Sequence, residues 1–437
     1  MKFLVVGNGG REHAIAWKLH ASSLVTELLV APGNAGTEQL GRNVPIEAED
    51  IDGLLDFALK ASVDITVIGP EAPLAAGIAD RFREAGLSVF GPSAAAARIE
   101  SSKSFAKELM VRHGVPTGAA KAFDDPETAL TYVSGLPAPV VIKADGLTAG
   151  KGVVVAHTSD EALGAVRRII VEREFGDAGE RVLIEECLEG PEVSVFAFVD
   201  GEFVSALLAA CDYKRAGDGD VGPNTGGMGS FSPPPFWTPG LEERVRHEIM
   251  EPVARALVEM GAPYRGVLYA GLMLTDEGPK VIEFNCRLGD PETQAILPRL
   301  KIDLGEVIIS AVTGELNATP LEWSPSACVS VVVASGGYPV SYNTGHPIHG
   351  LETLDEEVTV FHAGTRTVSV NGSHDVVTNG GRVLTLSALG PTLEEARQKV
   401  YANIGRIRFE DSFYRGDIAE TTTSCPVVGG RLRKGSS

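Results

Sequence analysis

The chain has 437 residues, 44% of them hydrophobic, and carries 38 Lys plus Arg against 58 Asp plus Glu, a formal net charge of −20. That length exceeds what one hydrophobic core usually serves, so roughly two to four domains are expected. The acidic balance argues against a nucleic acid or a membrane as general partner, because phosphate attraction needs positive potential; small anionic ligands stay possible where a few cations and backbone amides concentrate.

The cysteines Cys187, Cys211, Cys286, Cys328 and Cys425 form no C-x-x-C pair. An odd count with that spacing predicts free thiols in a reducing compartment rather than a disulfide framework or a zinc site. The first apolar run ends at Gly7, too short for a signal peptide, and no run of about 20 apolar residues could span a membrane. A cytoplasmic protein is expected.

In chain order, "KFLVVG", "ELLVA", "ITVIG" and "SVFG" read as buried parallel strands, with helical spacing between them, as over Leu74 to Ala85. This β–α alternation predicts a doubly wound parallel sheet over 1–103, with ligands at the carboxyl ends of its strands. From 104 to 190 come a helix, "FAKELMVRHG", closed by Gly114, two strands, "APVVIKAD" and "GVVVAH", joined by a glycine loop, a helix over 159–173 and the strand "RVLIEE". The segment 191–325 is strand-rich, with a hairpin at Asp200-Gly201, a Gly/Pro/Asn loop at 215–235, the strand "VIEFN" and a helix near 303–313. Residues 326–425 suggest a small α/β cap with strands "ACVSVVVAS" and "RVLTLSALG" and a helix at 392–404, before a frayed tail. The expected class is multidomain α/β and α+β.

The first glycine turn tests for a dinucleotide site. Gly7 and Gly9 fit G-x-G-x-x-G, but Glu12 occupies the third glycine position and "VAPGNAG" offers no carboxylate at the second strand's tip. What survives is a helix N-terminus with the backbone of Gly9 and Gly10, which favours a phosphate. Gly33, Asn34 and Gly36 of "PGNAG" can close over it; a tight turn without ligand is the alternative.

The second loop, "GLTAGKG" at 146–152, is not a P-loop: three residues separate its first glycines and a strand follows. It reads as a glycine hairpin able to bend over a triphosphate through Gly150, Lys151 and Gly152, with Lys143 on the strand before it. A mobile surface hairpin is the competing reading. Glu185, Glu186 and Glu192 follow and can read an adenine edge and ribose hydroxyls, although strand-end glutamates are commonly just solvated.

"GPKVIEFNCRLGDPETQ" is the most informative stretch. Residues two apart in a strand share a face, so Glu283 and Asn285 point together while Ile282 and Phe284 are expected to face the core. A carboxylate and an amide oxygen suit Mg²⁺ or Mn²⁺ that shares nucleotide phosphates; a half-exposed edge strand is the alternative. Arg287 can grip a carboxylate bidentately, and Asp290 sits in a "GDPE" turn where capping is the plain role. The stretch 212–233, longer than usual loops and too glycine-rich for a core element, offers Asp212, Lys214 and the Gly227-Met228-Gly229 backbone to a polar substrate, or is a surface loop.

Together these motifs resemble the ATP-grasp superfamily and, within it, the phosphoribosylamine–glycine ligase family. The likeness runs from "VVGNGGREHA" through "APGNAGT", "GPEAPLAAGI", "IKADGLTAGKGV", "IEECLEGPEVS" and "DYKR…GPNTGGMGS" to "EFNCRLGDPETQ". It implies ATP between the two central subdomains, contacted by Lys103, Lys143, Glu185, Glu192 and the backbone near Leu188, with Mg²⁺ on Glu283 and Asn285. It implies 5-phosphoribosylamine with its phosphate at Gly9, Gly10 and the 33–36 loop, near Asp212, Lys214 and residues 227–229. Arg287 would hold the glycine carboxylate and Asp290 the incoming amine. Many superfamily members carry another metal carboxylate on the preceding strand, where this chain has Ala270 and Gly271. A monomer is expected. The rivals are another ATP-grasp ligase or carboxylase, an NAD-linked dehydrogenase, which the failed fingerprint disfavours, and a non-catalytic nucleotide sensor.

Overall fold

The computed structural model describes residues 1–148, 150–370, 373–420 and 427–428. The first apolar runs build a parallel sheet in the order Arg42–Asn43, Glu27–Pro32, Lys2–Gly7, Ile65–Ile68, Ser88–Phe90. Leu4 and Val6 face one core and Phe3 and Val5 another, which is why these strands read as continuous rather than alternating apolar runs. The helix expected over 74–85 is instead two, Glu71–Ala75 and Ile78–Glu84. Gly77, at φ +86, turns the chain between them, a conformation that costs a side-chain-bearing residue.

A second, antiparallel sheet runs Ala120–Phe123, Val182–Glu186, Val140–Ala144, Val153–Ala156. The strands either side of the glycine hairpin pair from Val140 opposite Ala156 to Lys143 opposite Val153, as expected. Helices Pro126–Ser134 and Ser159–Val166 cover one face through Val133, Ala162 and Val166 against Ile142 and Ile184. The latter helix is capped by Thr158 and runs on as a wider turn over Arg167–Val171.

The third sheet is long. Its path is Gly278–Asn285, Arg265–Thr275, Gly190–Asp200, Leu208–Asp212, Gly229–Ser232, Ala327–Ala334, Arg382–Gly390, Val358–His362. The cap therefore continues the central sheet, and the join is a correction to the sequence reading. Gly229–Ser232, inside the stretch expected to be too glycine-rich for a core element, is a buried strand between Leu208–Asp212 and Ala327–Ala334. Its polar side chains are satisfied: Ser230 donates to Pro291 O at 2.9 Å and Ser232 to Ala209 O at 2.6 Å. Val358–His362 and the hairpin Thr365–Val370/Ser373–Thr378 had no sequence expectation. Helix Leu393–Ile404 closes the cap where a helix at 392–404 was expected.

Cys187, Cys286 and Cys328 are free thiols. Cys211 departs from the expectation, being disulfide-bonded, and Cys425 lies outside the described residues. So does the tail expected to fray, apart from Val427–Val428, which pair with Pro191 and Gly190. Among the described residues no helix is long and apolar enough to cross a membrane.

Candidate active site

The strand Gly278–Asn285 lies at the edge of the long sheet, paired with Arg265–Thr275 so that Gly271 stands opposite Glu283 and Tyr269 opposite Asn285. A bulge interrupts this ladder at Ile282. It corrects the expected alternation: Val281 and Phe284 are the buried pair, while Ile282 is only half-buried. Glu283 and Asn285 remain on one face. The bulge also frees the Ile282 carbonyl, which accepts a hydrogen bond from Lys143 Nζ at 3.1 Å.

Four cations surround Glu283. Burial pushes its pKa up, but Lys214, Lys143, Lys103 and Arg287 outweigh that and hold the carboxyl below its ordinary value. Among the described residues no side chain hydrogen-bonds or ion-pairs with Glu283, and no group of three or more His, Cys, Asp or Glu is arranged to hold a metal alone. Asn285 Oδ1 accepts from Arg287 Nη2 at 3.1 Å. Two hard oxygens on one face therefore stand ready for a cation that takes its other ligands elsewhere.

The lysines form one side of the site. Lys103 opens the helix Lys103–Arg112 and donates to Gly146 O at 3.0 Å, at the root of the glycine hairpin. Burial lowers its pKa, with Glu283 acting to raise it. Lys143 is buried on the lid sheet, 3.0 Å from Glu185 Oε2. The same oxygen meets Lys107 at 3.2 Å, while Glu185 Oε1 is buried without a partner. Glu186 and Leu188 pack beside Gly118, and Lys151, like Gly150, is exposed on the hairpin while Gly152 is buried. Ala149 lies outside the described residues. Glu192 pairs with Lys214 at 2.6 Å.

Lys214 and Asp212 emerge from the end of the strand Leu208–Asp212, with Tyr213 turned into the core between them. Burial opposes the charge on Lys214, but Glu192 and Asp212 keep it firmly protonated. Asp212 is pushed up to about 7, by burial first and by Glu292 and Glu192 next, against the pull of Lys214. Glu292, 4% exposed, accepts from Tyr269 Oη at 3.1 Å and lies 3.3 Å from Ser194 Oγ.

The other side of the site is assembled from distant segments. Helix Gly10–His20 begins at Gly9, whose N–H, expected to be bare, donates instead to Glu12 Oε2 at 2.7 Å. Glu12 therefore fills the place where a dinucleotide fingerprint needs glycine, and Arg11 neutralises it at 2.5 Å. Asp290 reaches the same turn: its Oδ2 is 3.4 Å from Arg11 N and 3.4 Å from Arg382 Nη2, and its Oδ1 accepts from Gln294 at 2.9 Å. Burial raises the Asp290 pKa, but Arg382 and Arg11 bring it below its usual value. Asn34 is spent on structure, donating to Asn8 O and His362 O and accepting from Gly36 and Thr37 N–H, so it shapes the 33–36 loop. Gly227, at φ +109, packs on Pro291 and leaves no room for a Cβ. Arg382 donates to Gly226 O and, at 2.8 Å, to Asp290 O, fastening residues 226–229 to the 290 turn. Met228 is buried beneath them.

Arg287 joins the halves. Its Nε donates to Glu71 at 3.0 Å and its Nη2 is 3.2 Å from Glu100. Glu100, buried, is raised by burial first, while Arg287 pulls it down; it also accepts from Cys286 N–H and Sγ–H. Glu71 is held near 2, burial being overcome by Arg287 and Arg11.

Three family models cover the chain in order: the N domain of phosphoribosylglycinamide synthetase matches residues 1–100, its ATP-grasp (A) domain 101–293 and its C domain 328–421. The chain belongs to the phosphoribosylglycinamide synthetase family. Two curated relatives bear the name phosphoribosylamine–glycine ligase. The one from Escherichia coli O6:H1 is 51% identical over 424 residues, covering 96% of this chain and 98% of its own length. That from Vibrio parahaemolyticus is 48% identical over 422 residues, with 96% and 97% covered. The crystal structure of phosphoribosylamine–glycine ligase from Thermotoga maritima superposes with a TM-score of 0.84 at 36% identity, over 96% of this chain and all of that one. Biotin carboxylase from Campylobacter jejuni shares the fold alone, at TM-score 0.68 and 15% identity over 97% and 94% of the two chains. The protein is thus an ATP-grasp ligase of the phosphoribosylglycinamide synthetase family: an N-terminal parallel sheet, a central ATP-grasp domain of antiparallel sheets and a small C-terminal domain.

Several residues of this synthetase site escaped the sequence reading. Lys107 was detectable, lying four residues after Lys103 on one helix face. Glu71 lies in the quoted "GPEAPL" motif. Glu292 lies in the quoted "GDPETQ" turn, whereas Glu100 and Arg382 carried no local signal, since their partners come from another domain.

Proposed function

We propose that the chain joins glycine to 5-phosphoribosylamine at the expense of ATP, through glycyl phosphate, giving glycinamide ribonucleotide, ADP and phosphate in purine biosynthesis. The observation that carries this reading is the convergence on Glu283: Lys103, Lys143, Lys214 and Arg287 surround its carboxylate, Asn285 stands on the same strand face, and Arg287 ties this place to Glu71 of the N-terminal domain. Residues 104–190 and 191–325 enclose the nucleotide. Lys103, Lys143 and Lys151, with the backbone of Gly150 and Gly152, neutralise and orient its phosphates; Glu186, Leu188 and Glu192 border its nucleoside end. Glu185, paired with Lys143 and Lys107, aims the lysines and keeps one oxygen free for the nucleotide.

Glu283 and Asn285 fit Mg²⁺ or Mn²⁺, which supplies charge neutralisation for phosphoryl transfer when bound. Glycine's carboxylate, held by Arg287, takes the γ-phosphoryl group, and ADP leaves. The amine of phosphoribosylamine then attacks the acyl carbon; phosphate departs and the amine's proton is lost. Asp290 orients that amine, while Gly10 at the helix start, Asp212, Lys214 and residues 227–229 hold the sugar phosphate; Gly9 and the Gly33-Asn34-Gly36 loop, whose amides and Asn34 side chain bond internally, shape the turn around it. Arg382 belongs with them, because it fixes the loop to the Asp290 turn. Closure of the 146–152 hairpin keeps water from the acyl phosphate.

The reading carries with it a cytoplasmic monomer, which sedimentation of the purified protein tests. The decisive assay is ADP release with ATP and Mg²⁺, with glycine and freshly generated phosphoribosylamine present together or singly omitted. Release that needs both, with glycinamide ribonucleotide formed in step, is expected. Release indifferent to glycine would discard the substrate assignment.

A further inference from the structure

Among the described residues Arg415 is the largest fully buried side chain, 1% exposed, yet it lies in the C-terminal domain far along the chain from any motif above. Its Nε and Nη2 bind the Asp417 carboxylate at 2.7 and 2.6 Å. Its Nη1 donates to Arg215 O at 2.9 Å and stands 3.4 Å from Asp220 Oδ1. The guanidinium carbon lies 4.8 Å from the centroid of the Tyr213 ring. Neighbouring backbone adds to these ties. Ala419 N donates to Tyr213 Oη at 3.0 Å, Gly219 N to Asp417 Oδ2 at 2.8 Å, and Gly416 N to Asp218 Oδ1 at 2.7 Å.

Apart from the Arg415–Asp417 pair itself, these contacts land on residues 213–220, the segment that leaves the site just after Asp212. Tyr213 and Lys214 bond through their backbones to Gly229, Met228 and Thr225, but beyond them the segment has little else to hold it. The short hairpin Arg215–Gly217/Val221–Asn224 is largely exposed, and Asp220 sits at φ +58, which a non-glycine residue keeps only where its surroundings enforce it. Few buried apolar contacts mean low local stability. A guanidinium costs free energy to bury unless it is paired, and here its partners are the loop and its own segment.

We infer that Arg415 is a positioning residue for the substrate site: with Asp417 it straps Tyr213 into the C-terminal core and so directs Asp212 and Lys214 into the site. The physical link is strand alternation. Side chains either side of a residue point to the opposite face, so a Tyr213 pinned inward turns its neighbours outward together, where Lys214 meets Glu192 at 2.6 Å. This rests on the reading that Asp212 and Lys214 contact phosphoribosylamine.

The test uses the full chain in three variants, Arg415→Ala, Arg415→Lys and Lys214→Ala, with KM measured separately for phosphoribosylamine, glycine and ATP, and amide exchange followed over 213–224. Arg415→Ala is expected to raise KM for phosphoribosylamine about tenfold and leave that for ATP within about twofold, since misplacement acts on the substrate whose contacts move. Exchange should quicken over 213–224, and Arg415→Lys should recover part of both effects. Quickened exchange with an unchanged phosphoribosylamine KM would overturn the inference, leaving the strap purely structural. Unchanged exchange would overturn it too. Lys214→Ala separates the layers: if it leaves the phosphoribosylamine KM unmoved, the reading of the site fails, not the strap. Should Arg415→Ala not fold, Tyr213→Phe removes only the hydroxyl that Ala419 binds. It should raise the same KM about threefold, the scale of one lost hydrogen bond, and no change would count against the inference.

Discussion

The two sides of this site are built in opposite ways. The proposed nucleotide side comes from one stretch of chain, from Lys103 to Glu192, folded as a helix, an antiparallel sheet and a glycine hairpin, and two of its lysines, Lys107 and Lys143, share one carboxylate, Glu185. The substrate side draws on residues 9–12, 33–37, 226–229, 287–294 and 382, and closes only when three domains meet. Local construction suits a lid that must open, because the tip of its hairpin bonds within the hairpin itself, Lys151 N and Gly152 N to Thr148. Assembly from distant segments suits a rigid pocket, because every wall is fixed by a different part of the fold.

Substitutions can break or sharpen that contrast. The largest effect is expected at Glu283, where both sides meet. Glu283→Gln should lower kcat for ADP release by about a hundredfold or more, the scale of losing one preorganised electrostatic group, without loss of folded protein, since no side chain pairs with it; wild-type turnover would break the idea that the sides share a centre. Arg287→Ala comes next. It should raise the glycine requirement strongly while ATP binding survives, and should cost about 3–5 kcal/mol in urea unfolding, because Glu71 and Glu100 lose their buried partner. Unchanged glycine kinetics in the folded fraction would remove Arg287 from that role.

A smaller effect belongs to the junction of N- and C-terminal domains. His13 Nδ1 accepts from His362 N–H at 2.6 Å, and burial lowers the two imidazoles to about 3 and about 4, helped at His13 by the proximity of His362. In the unfolded chain each takes a proton near 6.5. Their contribution is therefore present above pH 6.5 and is lost as pH falls toward 4, at up to about 1.4 kcal/mol per pH unit for each group. Denaturant midpoints measured from pH 7 to 4 should show this slope, reduced in His13→Gln; an equal slope would place the acid sensitivity elsewhere. The smallest effect is expected at the hairpin. Lys151 is exposed, so Lys151→Ala should raise KM for ATP only about threefold to tenfold, with the phosphoribosylamine KM unmoved. A loss as large as that of Glu283→Gln would make the lid part of the shared centre.

Much of the architecture follows from the sequence by itself. Buried parallel strands announce themselves as continuous apolar runs, the strand–hairpin–strand around 146–152 by its glycines, and the pairing of Glu283 with Asn285 by a period of two that survives the bulge because the extra residue precedes them. Glu12 in place of a third glycine, with no carboxylate at the second strand's tip, already argued against a dinucleotide. What local pattern could not show is what depends on a neighbour from elsewhere in the chain. The glycine-rich segment at 229–232 is a core strand because its serines find carbonyls at Pro291 and Ala209. The Ile282 carbonyl meets Lys143, Arg382 meets the 290 turn and Arg415 meets the 213–220 segment, each through a partner dozens to hundreds of residues away. Periodicity records which face a residue takes within its own element; which charges and carbonyls meet that face is decided only when the elements pack, because Coulomb and hydrogen-bond terms depend on distance in space and not along the chain.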